Sequence, residues 1–256
     1  MLNIFHLLNR IETQYRRFRA TRFAKHPFKM KNSRPFISFT FDDCPTSSYY
    51  TGGSILKKYG LTGTYYVSLG LIGQDSPVGK IFSQEDLKKI LADNHELGCH
   101  TFDHLHSWDV KADLFEDSLL KNQRALESIL PDARFTTFSY PKSDPNPQTK
   151  LRAGRHFLCC RGGSKWTNNT DIIDLNLLNS CMLDSRTMDN DSFIKGLIDK
   201  NNHTCGWLIF VTHDVTINPS PFGCTPNFFE DIVCYSVNTG SIILPVMKTC
   251  QALDIV

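Results

Sequence analysis

Apolar segments alternate with amphipathic ones along the chain from residue 36 onward. Eight apolar runs have the length of strands, and several are apolar on both faces, as parallel strands are when helices cover the sheet. They span residues 36–41, 63–68, 96–100, 135–140, 157–161, 177–183, 207–212 and 241–246. Helices are predicted over residues 53–59, 84–93, 109–130, 147–155, 189–201 and 226–239. This alternation predicts an α/β fold with a parallel sheet, and eight strands favour a barrel.

Two of these helices carry clear boundary signals. Ser83 followed by Asp86 resembles a capping box at a helix start. Thr225 is a suitable N-cap, Pro226 suits the first turn, and Gly240 follows the predicted end of that helix.

The first residues form a separate helical pattern. Over residues 2–23 an apolar stripe recurs at spacings of three and four, and the arginines lie off it; the stripe consists of Ile4, Leu7, Leu8, Ile11, Tyr15 and Phe18. A helix that packs this stripe on the domain is slightly favoured, and a basic helix resting on an anionic membrane face is the alternative. Prolines at 27 and 35 then indicate a linker. The expected division is a basic helix and linker over residues 1–34 and one domain over residues 35–256.

Charge separates the same two parts. The whole chain of 256 residues has 28 basic and 26 acidic residues. Residues 1–34 hold nine basic residues and one acid, a net charge of +8, whereas the remainder has 19 basic and 25 acidic residues, a net charge of −6. The body is therefore mildly acidic, and the composition gives no reason to expect a nucleic-acid partner.

The cysteines bear on the cellular compartment. Nine are scattered along the chain, an odd number without a CxxC motif, and a chain of this length needs no disulfide to fold. Residues 1–10 lack the pattern of an export signal, and no run of about 18 apolar residues occurs. We expect a cytoplasmic protein with reduced thiols; a secreted protein with several bridges is the alternative.

Polar residues follow the apolar strands at their carboxyl ends, where the active sites of α/β barrels lie. Asp42 and Asp43 come directly after residues 36–41. Adjacent residues on a strand point opposite ways, so both carboxylates reach one site only if the chain turns, which Cys44-Pro45 permits. A capping pair at a strand–helix junction is the alternative.

The segment HTFDH places His100 and His104 four residues apart. On a helical turn this spacing puts two imidazoles on one face, where they can hold one divalent ion. With Asp43 the set becomes two histidines and a carboxylate, which leaves a coordination position open for water. His95 and His106 are nearby competitors, and a polar loop without a metal is an equal alternative. His213, after the most apolar strand, is either a core residue or a general acid–base.

Three motifs together, FTFDDCP, GCHTFDH and IFVTHD, resemble the polysaccharide deacetylase (NodB-homology) family over residues 35–250. The resemblance implies a single distorted (β/α) barrel with fewer than eight regular strands. It also implies that Asp43, His100 and His104 hold a divalent metal, with zinc favoured over cobalt, nickel or magnesium. Asp42 would be the base and His213 the acid, and Thr101 would fill a small hydroxyl position.

The chain departs from the family pattern at several points. Cys44 stands where the first motif has glycine, and Ser139 stands where the third motif has an arginine that steadies the base. Arg161, after the next strand, is a candidate replacement, with ordinary surface charge as the alternative. Tyr140 precedes the motif's proline, and Lys142 follows it, where a backbone N–H helps bind the oxyanion. The fourth motif is not identified; Trp166, Asp171 and Asp174 are candidates.

The resemblance implies a hydrolase that removes an N-acetyl or related acyl group from an amino sugar. For a cytoplasmic enzyme the substrate would be an acetylated sugar, oligosaccharide or lipid-linked glycan, in surface polysaccharide biosynthesis. A lipid-linked substrate would give residues 1–25 a reason to contact the inner membrane face. The alternatives are a non-catalytic carbohydrate-binding or scaffold protein on the same fold, and a deformylase or amidase acting on another C–N bond.

Overall fold

The computed structural model describes residues 2–164 and 169–255, and in these ranges it contains twelve strands and nine α-helices. The strands are β1 (Pro27–Lys29), β2 (Phe36–Asp42), β3 (Thr64–Val67), β4 (Asp75–Ser76), β5 (Gly79–Lys80), β6 (Glu96–Cys99), β7 (Thr137–Ser139), β8 (Cys159–Ser164), β9 (Ile172–Asp174), β10 (Leu178–Met182), β11 (Trp207–Thr212) and β12 (Ile242–Ile243). The helices are α1 (Leu2–Arg22), α2 (Ser54–Lys58), α3 (Gln84–Ala92), α4 (Ala112–Ile129), α5 (Pro147–Ala153), α6 (Ser185–Met188), α7 (Asp191–His203), α8 (Pro226–Asn238) and α9 (Val246–Ala252).

Seven parallel strands close into a barrel in the order β11-β10-β8-β7-β6-β3-β2. The closing pair is β11 with β2, in register from Trp207 beside Phe36 to Thr212 beside Phe41. The short β12 pairs with the first two residues of β2, whereas β3 pairs with the last three residues of the same strand. The predicted distorted barrel with fewer than eight regular strands is confirmed, and each of the eight predicted strands is present.

The barrel strands are buried on both faces, as their continuous apolar runs predict. All seven residues of β2 are buried. Inside the fold, aromatic rings stack in pairs: the Phe41 and Tyr65 ring centroids lie 4.7 Å apart, and those of Phe39 and Phe210 lie 5.4 Å apart. The helices cover the outer faces of the same strands, which completes the two layers of the barrel.

The structure adds elements that the sequence pattern does not predict. The antiparallel pairs β1–β9 and β4–β5 have two or three residues in each strand, too few for an alternating pattern to be recognised. Helices α6 and α9 are also additional. The two capping predictions are confirmed: Ser83 and Asp86 form a reciprocal capping box, and Thr225 accepts a hydrogen bond from the Phe228 N–H.

Helix α1 contacts the barrel through its C-terminal part. Ala20 is fully buried there, whereas Ile11, Tyr15 and Phe18 of the apolar stripe are more than half exposed. The favoured prediction, that the stripe packs on the domain, is therefore wrong for these three residues. The side chains of residues 2–10 lie outside the described part of the structure. In the described ranges no helix combines the length and the apolar character needed to span a bilayer.

One buried ammonium group anchors α1. Lys150, on α5, is completely buried, and its Nζ donates to the carbonyls of Ala20 and Phe23 at 2.8 and 3.0 Å and to Asp174 Oδ2 at 2.5 Å. Asp174 on β9 also accepts from the His26 N–H at 2.9 Å. This charge pair thus joins the last turn of α1 and the following linker to β9 and α5.

We expect Lys150→Met to lower the free energy of unfolding by about 3 kcal/mol, because it leaves buried carbonyls and a carboxylate without their common donor. Urea unfolding followed by circular dichroism measures the change. Lys88→Met is the control, because Lys88 is exposed and pairs with Glu85 one turn away on α3; it should change stability by less than about 0.5 kcal/mol. Equal stability of the two variants would contradict the anchoring role of Lys150.

Candidate active site

The carboxyl ends of the barrel strands open into a cavity of about 630 Å³. The polar residues that follow the predicted strands contribute to its lining, as expected for an α/β barrel. The lining includes Asp42, Asp43, His100, His104, Tyr140, Lys142, Arg161 and His213. These side chains come from five different barrel strands or from the loops that follow them, so the closure of the barrel brings them together. Arg161 lies inside β8, whereas the sequence predicted it after the end of a strand.

The chain turns immediately after β2, as the two carboxylates require. Asp42 is the last residue of β2, and Asp43 and Cys44 both adopt positive φ, 58° and 51°. Glycine adopts this left-handed conformation without steric cost, whereas a residue with a Cβ does not. The turn therefore explains why glycine is usual at the position of Cys44, and it directs Asp42 and Asp43 into the same cavity.

Asp43, His100 and His104 form one cluster whose ligand atoms all lie within 4.8 Å of one another. Asp43 Oδ1 lies 3.6 Å from His100 Nε2 and 3.2 Å from His104 Nε2. This carboxylate oxygen is buried, yet no hydrogen-bond donor contacts it within the described residues. A buried, unpaired carboxylate oxygen facing two imidazole nitrogens is the arrangement that a bound cation would satisfy. The residues present therefore fit a divalent metal.

The orientation of His100 is fixed by its second ring nitrogen. His100 Nδ1 lies 2.7 Å from the backbone carbonyl of Ser139, which can only accept, so Nδ1 carries the hydrogen and the Nε2 lone pair faces Asp43. Burial lowers the pKa of His100 to about 4, against the opposing pull of Asp42 and Asp43. The imidazole is therefore neutral near pH 7, which is the form that binds metal.

The two histidines do not share a helical turn, which corrects the prediction from their spacing. His100 follows β6 directly, and Thr101 and His104 have positive φ, 60° and 52°. The Thr101 hydroxyl accepts from the Leu105 N–H at 2.9 Å and closes a compact loop. The loop brings the two imidazole centroids to 5.1 Å from each other. The left-handed backbone at Thr101 and His104 is incompatible with a right-handed helix, so the expected helical turn does not form here.

Arg161 contacts the other carboxylate. It is 3 % exposed, and its Nη2 donates to Asp42 Oδ1 and to the Ser139 hydroxyl. Ser139 and Arg161 are direct partners in the β7–β8 pairing, so the guanidinium approaches Asp42 from the strand beside the one that bears the family arginine. Burial raises the pKa of Asp42, but the positive charge and the hydrogen bond of Arg161 outweigh it and lower the pKa below its usual value. Asp42 is therefore ionised.

His213 completes the polar group on the cavity wall. Its Nε2 lies 3.9 Å from Asp43 Oδ2, and its ring packs 5.6 Å from the Phe222 ring. The Nδ1 atom is buried, and the described residues offer it no hydrogen-bond partner. Asp214 does not reach this nitrogen; its carboxylate accepts from the N–H and hydroxyl of Ser220 and shapes the following loop. His213 is thus held by packing rather than by a carboxylate.

Of the remaining predicted residues, Lys142 and Tyr140 line the cavity, whereas Asp171 and Asp174 do not. Lys142 lines the cavity with positive φ of 57°, whereas the Tyr140 hydroxyl donates to the Asn176 carbonyl at 3.1 Å and is committed there. Asp174 binds Lys150. Asp171 accepts at its carbonyl from the Met30 N–H and does not line the cavity. Trp166 lies outside the described residues.

Sequence reasoning missed one wall of the cavity. The segment from Leu71 through the β4–β5 hairpin to Ile81 lines it, as do Met182, Arg186 and Phe222. Most of these residues lie in loops and two-residue strands without periodicity, where only turn signals are available, whereas Met182 ends β10 and Arg186 lies on the short helix α6. One turn signal could have indicated the hairpin, namely Pro77 followed by Gly79. Gly79 has a positive φ of 107°.

Comparison with known proteins agrees with this geometry. A family model described as polysaccharide deacetylase matches residues 29–157, half of the chain. The chain belongs to the polysaccharide deacetylase family. A comparison with curated protein sequences finds no match.

Solved structures share the family fold at low sequence identity. A family 4 acetyl xylan esterase from Clostridium thermocellum, in complex with a cobalt ion, is 18 % identical with a TM-score of 0.60, covering 85 % of this chain and 91 % of its own. The T48 deacetylase with substrate is 18 % identical with a TM-score of 0.58, covering 87 % and 94 %. BA3943 from Bacillus anthracis, a CE4 family pseudoenzyme, is 13 % identical with a TM-score of 0.56, covering 86 % and 67 %. At these identities the likeness shows the barrel fold of the family.

We expect Arg161→Met to lower the free energy of unfolding by about 3 kcal/mol, because Asp42 then stays buried without its counter-charge. The relocated pair Ser139→Arg/Arg161→Ser should recover much of this loss, since the two positions face each other across β7 and β8. Guanidinium chloride unfolding measures both. Lys142→Met, at a side chain that is 61 % exposed, is the control and should change little. A stable Arg161→Met protein would show that Asp42 does not depend on this charge.

His95 lies outside the cluster, just before β6, and its Nδ1 accepts from the Gly63 N–H at 2.9 Å. Burial lowers its pKa from 6.5 to about 4. Below pH 6.5 the unfolded chain binds a proton that the folded one excludes, so stability should fall between pH 6.5 and pH 4 by up to about 3 kcal/mol from this group. His95→Asn should flatten this part of the stability curve measured by urea unfolding. His203→Asn, exposed at the end of α7, should leave it unchanged, and identical curves for both variants would refute the assignment.

Proposed function

We propose that this protein is a divalent-metal-dependent hydrolase that removes an N-acetyl or related acyl group from an amino sugar. The proposed substrate is an oligosaccharide, a polysaccharide or a lipid-linked precursor in surface polysaccharide biosynthesis. One observation carries the proposal: the three-ligand cluster of Asp43, His100 and His104 shares a cavity with the ionised Asp42 and with His213. A binding protein has no need for a metal cluster, a base and an acid in one cavity.

Asp43, His100 and His104 would hold the metal, and two imidazoles with one carboxylate favour zinc, with cobalt, nickel or magnesium as alternatives. When bound, the ion would polarise the acyl carbonyl and make a water molecule more acidic. Three protein ligands leave room for the substrate at the same centre. The cobalt ion in the Clostridium thermocellum esterase supports a metal in a barrel of this kind.

The other roles follow from the charges in the cavity. Asp42, kept ionised by Arg161, accepts a proton from the attacking water. The water oxygen bonds to the acyl carbon, and the N–H of Lys142 donates to the carbonyl oxygen as negative charge develops there. His213 then donates a proton to the leaving nitrogen as the C–N bond breaks. One water is consumed, and acetate and a free amine are released.

The cavity suits a sugar-sized substrate. Its volume of about 630 Å³ lies within the range of small-molecule sites, and its lining combines apolar Leu71, Val78 and Phe222 with the polar groups. The nine free cysteines, seven of them buried, support a cytoplasmic location. We therefore place the substrate inside the cell, as a glycan reached either in solution or at the inner membrane face through residues 1–25.

A second candidate is a non-catalytic carbohydrate-binding protein. The Nδ1 atom of His213 is buried and has no hydrogen-bond partner among the described residues, which favours this candidate, because a general acid usually has a group that orients its ring. The Bacillus anthracis pseudoenzyme shares the fold.

A deformylase or another amidase is the third possibility, and an esterase acting on O-acetyl groups is the fourth. Acetylated chitooligosaccharides, a formylated amino sugar and acetylated xylan, assayed side by side for released acid, separate these functions.

The proposal predicts that chelation abolishes hydrolysis and that zinc or cobalt restores it. Asp42→Asn should retain the metal, because Asp42 is not a ligand, but lose about 100- to 10,000-fold in turnover, because the base is gone. Metal content by mass spectrometry and product release from acetylated chitooligosaccharide measure the two effects. Asp75→Asn is the control, since Asp75 lines the same cavity outside the cluster, and its turnover should stay within about twofold. Turnover of Asp42→Asn equal to wild type would end the assignment.

A further inference from the structure

Helix α1 carries an outward apolar stripe, which we define as Ile11, Tyr15 and Phe18. These side chains are 53 %, 52 % and 59 % exposed. An α-helix turns by about 100° per residue, so the three lie within an arc of about 60°. Three large apolar side chains on one exposed face are unusual for a helix that packs on its own domain, where the apolar face is normally the buried one.

The direction of the stripe is set by the way α1 is anchored. Ala20, the buried contact of the helix, follows Ile11 by nine residues and therefore lies about 180° around the helix from it. The carbonyl of Ala20 is bound by Lys150 from the barrel side. Helix α1 is thus attached by the face opposite Ile11, and Ile11 and Phe18 point away from the barrel, whereas the Tyr15 ring lies 6.5 Å from the Trp108 ring.

The helix lies beside the mouth of the active-site cavity. Arg17 Nε lies 3.2 Å from Asp144 Oδ2, and the Tyr15 ring lies 6.5 Å from the Trp108 ring. Trp108 and Asp144 belong to the loops that follow β6 and β7, and the Asp144 N–H donates to the carbonyl of the cavity-lining Lys142. A surface that covers the stripe would therefore lie close to the cavity opening.

Positive charge adjoins the stripe at its C-terminal end. Arg22 follows Ile11 by eleven residues, returns to within about 20° of it, and is exposed. Lys25 and Lys29 are exposed in the linker that follows, and residues 1–34 carry a net charge of +8. An apolar stripe bordered by arginine and lysine is the composition of helices that lie in the headgroup region of a bilayer.

We propose that α1 docks this protein on an anionic membrane surface, with the outward stripe in the headgroup region and the cavity mouth beside it. The biological reason for docking rests on the proposed function, because a lipid-linked glycan would reach the cavity from the membrane surface on which α1 lies. Docking itself needs only the stripe and the basic residues around it. The anionic headgroups supply the complement to the +8 charge, and the acyl boundary takes the apolar side chains.

The test uses the full chain and sedimentation with vesicles of phosphatidylcholine alone or of equal parts phosphatidylcholine and phosphatidylglycerol. We expect binding to the mixed vesicles to be at least about tenfold tighter. Ile11→Ser/Phe18→Ser should weaken it by about tenfold or more, because these side chains are exposed and their removal spares the fold. Arg22→Gln/Lys25→Gln should weaken it about fivefold for each charge and reduce its salt dependence.

The matched control is Phe193→Ser/Val237→Ser, which removes exposed apolar side chains from α7 and α8, and it should bind the mixed vesicles as wild type does. Absence of vesicle binding by wild type, or equal binding by the stripe variant, would overturn the proposal. A stripe that instead holds two copies together, seen as a dimer that becomes a monomer in Ile11→Ser/Phe18→Ser, would also overturn it. Hydrolysis of a soluble acetylated oligosaccharide should be unchanged in the stripe variant; if wild type shows none, the proposed function fails while the vesicle result stands.

Discussion

The pairing of β11 with β2 is the constraint on which the rest of the structure depends. It runs in register over six residues and converts an open sheet into a closed barrel. Because every barrel strand is parallel, their carboxyl ends then surround one opening, and the side chains after each strand converge there. His213 follows β11 and Asp43 follows β2, so the closing pair itself sets the 3.9 Å approach between the two residues.

The buried charge pair of Arg161 and Asp42 depends on that closure. A carboxylate and a guanidinium that are both nearly inaccessible to solvent lose hydration, and only a short charge-assisted contact compensates for the loss. The register of β7 with β8 places Arg161 directly beside Ser139, so the interior point next to Asp42 can be reached from either strand. Arg161 thus makes from β8 the contact that the family pattern leads one to expect from position 139, and the Ser139 hydroxyl accepts from the same guanidinium.

Backbone strain concentrates at the same opening. Eleven non-glycine residues in the described chain have positive φ, and six of them belong to the three loops around the cavity: Asp43, Cys44, Thr101, His104, Lys142 and Ser143. Each such conformation costs about 1 kcal/mol or more, and it persists because a rigid scaffold holds it. The barrel supplies that scaffold. The same scaffold carries α1 on Lys150, which explains how an apolar stripe can be presented outward from a stable domain.

The sequence by itself determined the alternation of strands and helices, the positions of eight strands and the candidate residues Asp42, Asp43, His100, His104 and His213. Short-range periodicity and motif spacing carry that information, because each depends on neighbours along the chain. The sequence named Arg161 as a candidate partner of Asp42 with ordinary surface charge as the alternative, and the tertiary structure decided between the two. The exclusion of His95, the hairpin wall and the outward direction of Ile11 and Phe18 on α1 came only from the tertiary structure. Each of these depends on which residues meet across the barrel or on which face of a helix is anchored, and residues far apart in sequence decide both.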